Sequence, residues 1–160
     1  MLGLAGAAAL NATAADNVPP TLPIRALHLD PATKAAQAAI AACRKEGMNI
    51  AVTIVDRGGN VQVVLRDTLA MPLTPEVSRQ KAYAALNFNL PTSQLEERFK
   101  TMFGPGKVQG IVLSADAVPI SAGGTIIGGL GVSGAPTGIT DEKCAQAGLD
   151  AILTELEMAL

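Results

Sequence analysis

The sequence predicts an α+β domain, an antiparallel sheet flanked by helices in the order helix, hairpin, two helices, hairpin, helix. Three observations predict it. Two pairs of β-branched, apolar runs are each joined by Gly-rich turn chemistry, which makes hairpins and therefore an antiparallel sheet. The stretches around them repeat apolar residues every three or four positions or open on capping residues, as helices do. The chain has 160 residues, 49% apolar and 16% charged, a composition for one domain with a real core and not for a disordered chain. Aromatic residues are 2% (Tyr83, Phe88, Phe99, Phe103) and Trp is absent, so the core must be built from Ala, Val, Ile and Leu.

The first helix is expected over Pro31–Glu46. Asp30 can cap it, Pro31 suits its first turn, and Ala32, Ala35, Ala36, Ala39, Ile40 and Cys43 form its apolar stripe up to Gly47. Ile50–Val55 reads as a buried strand, Asp56-Arg57-Gly58-Gly59-Asn60 as a turn, and Val61–Arg66 as the returning strand. Thr74-Pro75-Glu76 opens a second helix that runs to about Asn89, where Pro91 ends it. Thr92 or Ser93 caps a short third helix to about Phe103, with Glu96 and Glu97 in its early turns. Ile111–Leu113 reads as a short strand. Ala117–Ser121 and Thr125–Val132 form the second hairpin, turned at Ala122-Gly123-Gly124, and the glycines of its last strand permit close approach of a backbone or ligand. Thr140 caps a final helix with Asp141 and Glu142 in its first turn and Ala145, Leu149, Ile152 and Leu156 as its apolar stripe.

Residues 1–15 are apolar or small up to Ala15, and read as the remnant of a secretory signal without its basic start, with Ala12-Thr13-Ala14 or Thr13-Ala14-Ala15 suited to a signal peptidase. On that reading the mature protein is periplasmic or secreted; read as an alanine-rich arm, the same stretch belongs to a cytoplasmic protein. The run is too short to span a bilayer. Residues 16–29 read as a linker or arm rich in Pro19, Pro20 and Pro23, and residues 30–160 as the single domain. Cys43 and Cys144 fall on or beside apolar helix stripes. They read as two buried thiols; export would make a disulfide between the helices an alternative. No Cys/His spacing suits zinc. The net charge of −2 and the lack of a basic face argue against nucleic acid.

Few residues carry chemistry. The one histidine, His28, precedes the first helix and is a candidate metal or haem ligand. Asp56 closes a strand at a Gly-rich turn, where turn capping is the plain role and proton transfer the alternative. Arg66, Arg79 and Lys81 are candidates for holding a carboxylate, Lys81 above the others because it stands in an apolar helix stretch. Gly129-Leu130-Gly131-Val132-Ser133-Gly134 matches the spacing of a dinucleotide-binding loop but lacks the βαβ setting such a loop needs.

Ile54–Asn60 through Leu65-Arg66-Asp67, then Lys81–Ala85 with Pro91-Thr92, then Gly128–Ala135, then Asp141 and Ala145–Leu149 occur in one order over about residues 31–157. Together they resemble the GlcG/HbpS family of small haem-associated proteins, related to the carboxy-terminal domain of PduO-type corrinoid enzymes. The resemblance implies a profilin-like fold, homo-oligomers built from dimers, and binding of haem, in some members with its degradation. It implies Thr92 as a haem contact through the Pro-Thr motif, a weak iron ligand giving labile binding, with His28 as the alternative ligand and Arg66 and Lys81 as partners for the propionates. Leu113–Val118 departs from the family pattern, which often has a Gly-Gly pair before the strand. The leading expectation is an exported haem-binding protein that sequesters haem or helps degrade it. Two others stand beside it. One is an enzyme or enzyme accessory acting on a small organic acid, with Asp56 or Lys81 carrying protons and Arg66 clamping the carboxylate. The other is an oligomeric structural module packed through its glycine-rich strand. The residues alone leave catalysis open.

Overall fold

The structure, a computed structural model, describes residues 19–100 and 104–159. The signal reading of residues 1–15 lies outside the described residues. Helix α1 (Leu29–Lys45) leads into strands β1 (Ala51–Asp56) and β2 (Val61–Arg66). Helices α2 (Thr74–Phe88) and α3 (Thr92–Phe99) and a 3-10 turn (Pro105–Lys107) precede β3 (Ala117–Ala122), β4 (Thr125–Ser133) and α4 (Gly138–Met158). The four strands form one antiparallel sheet in the order β2-β1-β4-β3. This is the expected α+β architecture.

Alternation along the central strands divides the core in two. Val52 and Ile54 of β1, Leu130 and Val132 of β4, and Val118 and Ile120 of β3 face the alanine stripe of α1 and the Ala145–Ile152 stripe of α4. Each large aliphatic side chain buried there contributes about 1.5–3 kcal/mol. Val55 faces the other way, against Ala82 and Leu86 of α2. Thr53, also on that face, shares a buried hydrogen bond of 2.7 Å with Ser78. Helix α2 approaches unusually closely because β4 offers it glycines. A Cβ on Gly129 would lie 2.3 Å from the Ala82 carbonyl oxygen, and one on Gly131 would lie 2.1 Å from that of Ser78. The close approach expected of this strand is therefore made by the chain's own helix, leaving no glycine face there for a neighbouring copy.

Several local expectations are corrected. α1 begins before Asp30: His28 occupies the extended N-cap position, its carbonyl accepts from Ala32, and Asp30 falls in the first turn. Thr92 and Ser93 do not cap α3. Pro91 holds the cap position, and the Ser93 amide donates to Glu142 instead. The helix ends at Phe99 among the described residues. Ile111–Leu113 joins no ladder. α4 is capped by Thr137, whose hydroxyl accepts from the Thr140 amide, so Thr140 lies one turn inside. The second hairpin turns on Gly123 and Gly124 alone, both at positive φ (53° and 74°), as a two-residue type I′ loop requires.

The cysteines are also corrected. Cys43 near the end of α1 and Cys144 near the start of α4 are joined in a disulfide, their Cα atoms 5.6 Å apart. The reason is packing. The two helices run antiparallel face to face with small residues between them, so two stripe positions distant in sequence meet within disulfide reach.

Candidate functional site

Two clefts lie at opposite ends of the sheet. Ile127 and Ser133, which line one each, stand at opposite ends of β4, roughly 20 Å apart at ~3.4 Å per residue.

The first cleft, of about 280 Å³, lies between the start of α1 and the end of α4. Leu27, Pro31, Ile127 and Leu156 give it an apolar wall, and His28 stands at it. The lead-in strand is fixed by Gln62, whose Nε2 donates to the Leu27 carbonyl at 2.6 Å. Arg25 donates to the Ala159 carbonyl at 3.0 Å, and Lys34 pairs with Glu155 at 3.2 Å. The His28 side chain makes no capping bond to the helix it precedes, and the residue is exposed. An imidazole beside an aliphatic wall is a donor set that suits haem iron and one edge of a porphyrin.

The second cleft, of about 290 Å³, is polar. Lys81 of α2 is buried in it and forms an ion pair with Asp116, itself 1% exposed. Asp116 Oδ1 has no hydrogen-bond partner. Asp141 accepts from the Gly134 and Ala135 amides at 3.1 and 2.9 Å, and Glu96 accepts from the Ala115 amide at 3.0 Å. Burial pushes the Lys81 ammonium below its ordinary value, against the upward pull of Asp141 and Glu96. Burial likewise pushes the Asp141 carboxyl up, against the two amides and Lys81. Three carboxylates thus surround one amine. Carboxylates therefore outnumber the one amine at this cleft. Among the described residues no group of three or more His, Cys, Asp or Glu is spaced to hold a metal ion.

Thr92 lies behind this cleft and is fully buried. Its hydroxyl accepts from the Asp116 and Ala117 amides, both at 2.8 Å, and so shapes the loop that carries Asp116. Arg66 is at the same end of the sheet. It donates to the Thr68 and Ala70 carbonyls and steadies the loop that leads to Met71 at the rim. Asp56 is at the other end, opposite Gly128, where it accepts from the Asn60 amide at 2.9 Å. Burial raises its carboxyl, but hydrogen bonds from Asn60, Gly58 and Gly59 outweigh that and hold it below the ordinary value. Arg79 is bound to Glu76 on the surface of α2. The structure therefore brings Thr92 and Lys81 together at one end, leaves Arg66 at that end but on the opposite edge strand and outside the cleft lining, and leaves His28 and Asp56 at the other end. Asp116, Asp141 and Glu96 were not singled out from sequence as site residues. The available signal was an Asp between the apolar runs Ile111–Leu113 and Ala117–Ile120.

A four-stranded antiparallel sheet between helices, with one apolar and one charged cleft, defines a small α+β domain with two candidate sites. The chain belongs to the HbpS-like family: the family model described as haem degrading protein HbpS-like matches residues 27–150. The crystal structure of HbpS superposes with a TM-score of 0.81 at 38% identity, covering 83% of this chain and 94% of that one. A crystal structure of a PduOC:heme complex gives a TM-score of 0.74 at 26% identity, over 80% of this chain and 96% of the other. An uncharacterized 15.0 kDa protein of Citrobacter freundii, named for a dhaT-dhaS intergenic region, is 29% identical over 132 residues, 79% of this chain and 92% of its own. No described helix is long and apolar enough to cross a membrane.

Proposed function

We propose that this protein binds haem in the apolar cleft between α1 and α4, with His28 as the iron ligand, and that it is an exported protein that sequesters haem. The observation that carries this reading is the chain's one histidine standing at an aliphatic wall formed by Leu27, Pro31, Ile127 and Leu156. Kinship with HbpS and with a domain solved as a haem complex supports it. Haem, when bound, supplies an iron centre open to oxygen and redox chemistry. Leu27, Pro31, Ile127 and Leu156 would hold the group against an apolar wall, and His28 would offer its imidazole nitrogen to the iron. A cleft of about 280 Å³ is slightly smaller than ligand sites of ~300–1,000 Å³, so it would cover only part of a porphyrin and the binding would be labile. The Cys43–Cys144 disulfide supports export, because such bonds persist in oxidising compartments. A homo-oligomer belongs to the same proposal: Leu69, Met71 and Leu73 are exposed together after β2.

The test is a haemin titration followed by the visible spectrum. A saturable, shifted Soret band is expected, and His28→Ala should weaken binding at least about tenfold, since even outer-shell changes at metal sites cost that much. Thr92→Ala should keep the band. Loss with Thr92→Ala and retention with His28→Ala would move the iron to Thr92, and a non-saturating response in the wild type would end the haem reading. Ascorbate in air then separates sequestration, in which the band persists, from degradation, in which it bleaches.

A further inference from the structure

The charged cleft at the opposite end of the sheet has no part in that reading. We propose that Lys81 is a nucleophile there, and that the cleft takes a small, neutral aldehyde or ketone as a reversible imine on Lys81 Nζ.

The inference rests on geometry. Lys81 is buried and opens onto a cleft of about 290 Å³ whose rim includes the exposed Met71 and Ser114. A buried lysine needs a reason, because the ammonium loses its hydration and an ion pair seldom recovers the whole loss. Here it stands between Asp116, Asp141 and Glu96. Two of these carboxylates are anchored by backbone amides. The third, Asp116, touches Lys81 through Oδ2, while its Oδ1 is buried and unpartnered in a cleft-lining residue. That orphaned oxygen asks for a hydrogen-bond donor from a ligand. The excess of carboxylates turns away anions, and the absence of a metal-spaced cluster among the described residues turns away a cation held by chelation. A neutral carbonyl compound fits such a cleft, because a desolvated amine is the group that reacts with one.

The step balances. Lys81 passes a proton to Asp116 Oδ2, and the freed lone pair attacks the carbonyl carbon to form the C–N bond. A proton moves from nitrogen to oxygen in the carbinolamine. The Asp116 carboxyl then protonates the hydroxyl, the C–O bond breaks, and water leaves. An ammonium and a carbonyl have become a protonated imine and water, and Asp116 is a carboxylate again. A ligand hydroxyl beside the carbonyl would give Oδ1 its missing donor.

The experiment uses the full chain with propionaldehyde and sodium cyanoborohydride at neutral pH, and peptide mass mapping to follow each lysine. Burial lowers the Lys81 ammonium below its ordinary value and so enlarges its free-base fraction, so Lys81 is expected to be labelled faster than the exposed Lys34, and saturably. Asp116→Asn should slow labelling at Lys81 and leave Lys34 unchanged. Glyoxylate, an aldehyde bearing a carboxylate, should lose the preference for Lys81. Labelling of Lys81 no faster than Lys34 overturns the proposal, and so does a preference for glyoxylate. The wild-type competition decides even if the variant fails to fold. His28→Ala should leave Lys81 labelling unchanged, so this inference stands or falls apart from the haem reading.

Discussion

Thr92 shows how one buried hydroxyl can organise the loop beside a cleft. It accepts two buried amides from the segment that presents Asp116. Thr92→Ala leaves both amides without a partner and should cost about 1–3 kcal/mol in urea unfolding, with Thr92→Ser recovering most of the loss. Asp56 permits a prediction with pH. Its folded pKa lies below 3.8, so its contribution is present above that value and is lost as pH falls through the lower folded one. Asp56→Asn should therefore flatten the fall in stability between about pH 6 and about pH 3, measured by chemical denaturation at each. These residues also mark what sequence can yield. Asp56 was readable because its partners lie within four positions. Lys81 could be noticed, as a charge in an apolar helix, but its partners could not. Asp116 comes to it from far along the chain, and only the packing of α2 on β4 brings them together.

At the level of elements, both hairpins and all four helices were legible, since stripe, cap and turn are local signals. The failures were local contests decided by distant groups. Ser93 did not need to cap α3, because Glu142 reaches across from α4 to take its amide and hydroxyl. Ile111–Leu113 has strand-like residues but joins neither edge of the sheet. The α2–β4 contact is the most sensitive joint. Gly131→Ala would drive a methyl to 2.1 Å from a backbone oxygen. Overpacking of that kind costs about 1–3 kcal/mol or more, and because α2 carries Lys81 the same change should slow aldehyde labelling there. A thermal melt and the labelling assay on one sample check both effects.

For the whole molecule, the disulfide closes a loop between residues separated by 101 positions. Chain entropy alone gives such a closure about 4–5 kcal/mol, so Cys43→Ser/Cys144→Ser or reduction should lower the unfolding midpoint in urea by a readily measured amount. The pairing was not legible in the sequence, because it depends on how α1 and α4 lie against each other and not on any spacing of cysteines. The same bond has a mechanical consequence. α1 and α4 are riveted where one ends and the other begins, and the His28 cleft lies between their opposite tips. The pair is built like tweezers, bonded at the hinge, with the cleft between the jaws. The Arg25 hydrogen bond to Ala159 and the solvent-exposed Lys34–Glu155 pair span those jaws. Salt screens an exposed pair of this kind, whereas ions do not touch the rivet, so the grip of the jaws should loosen with ionic strength while the fold stays closed.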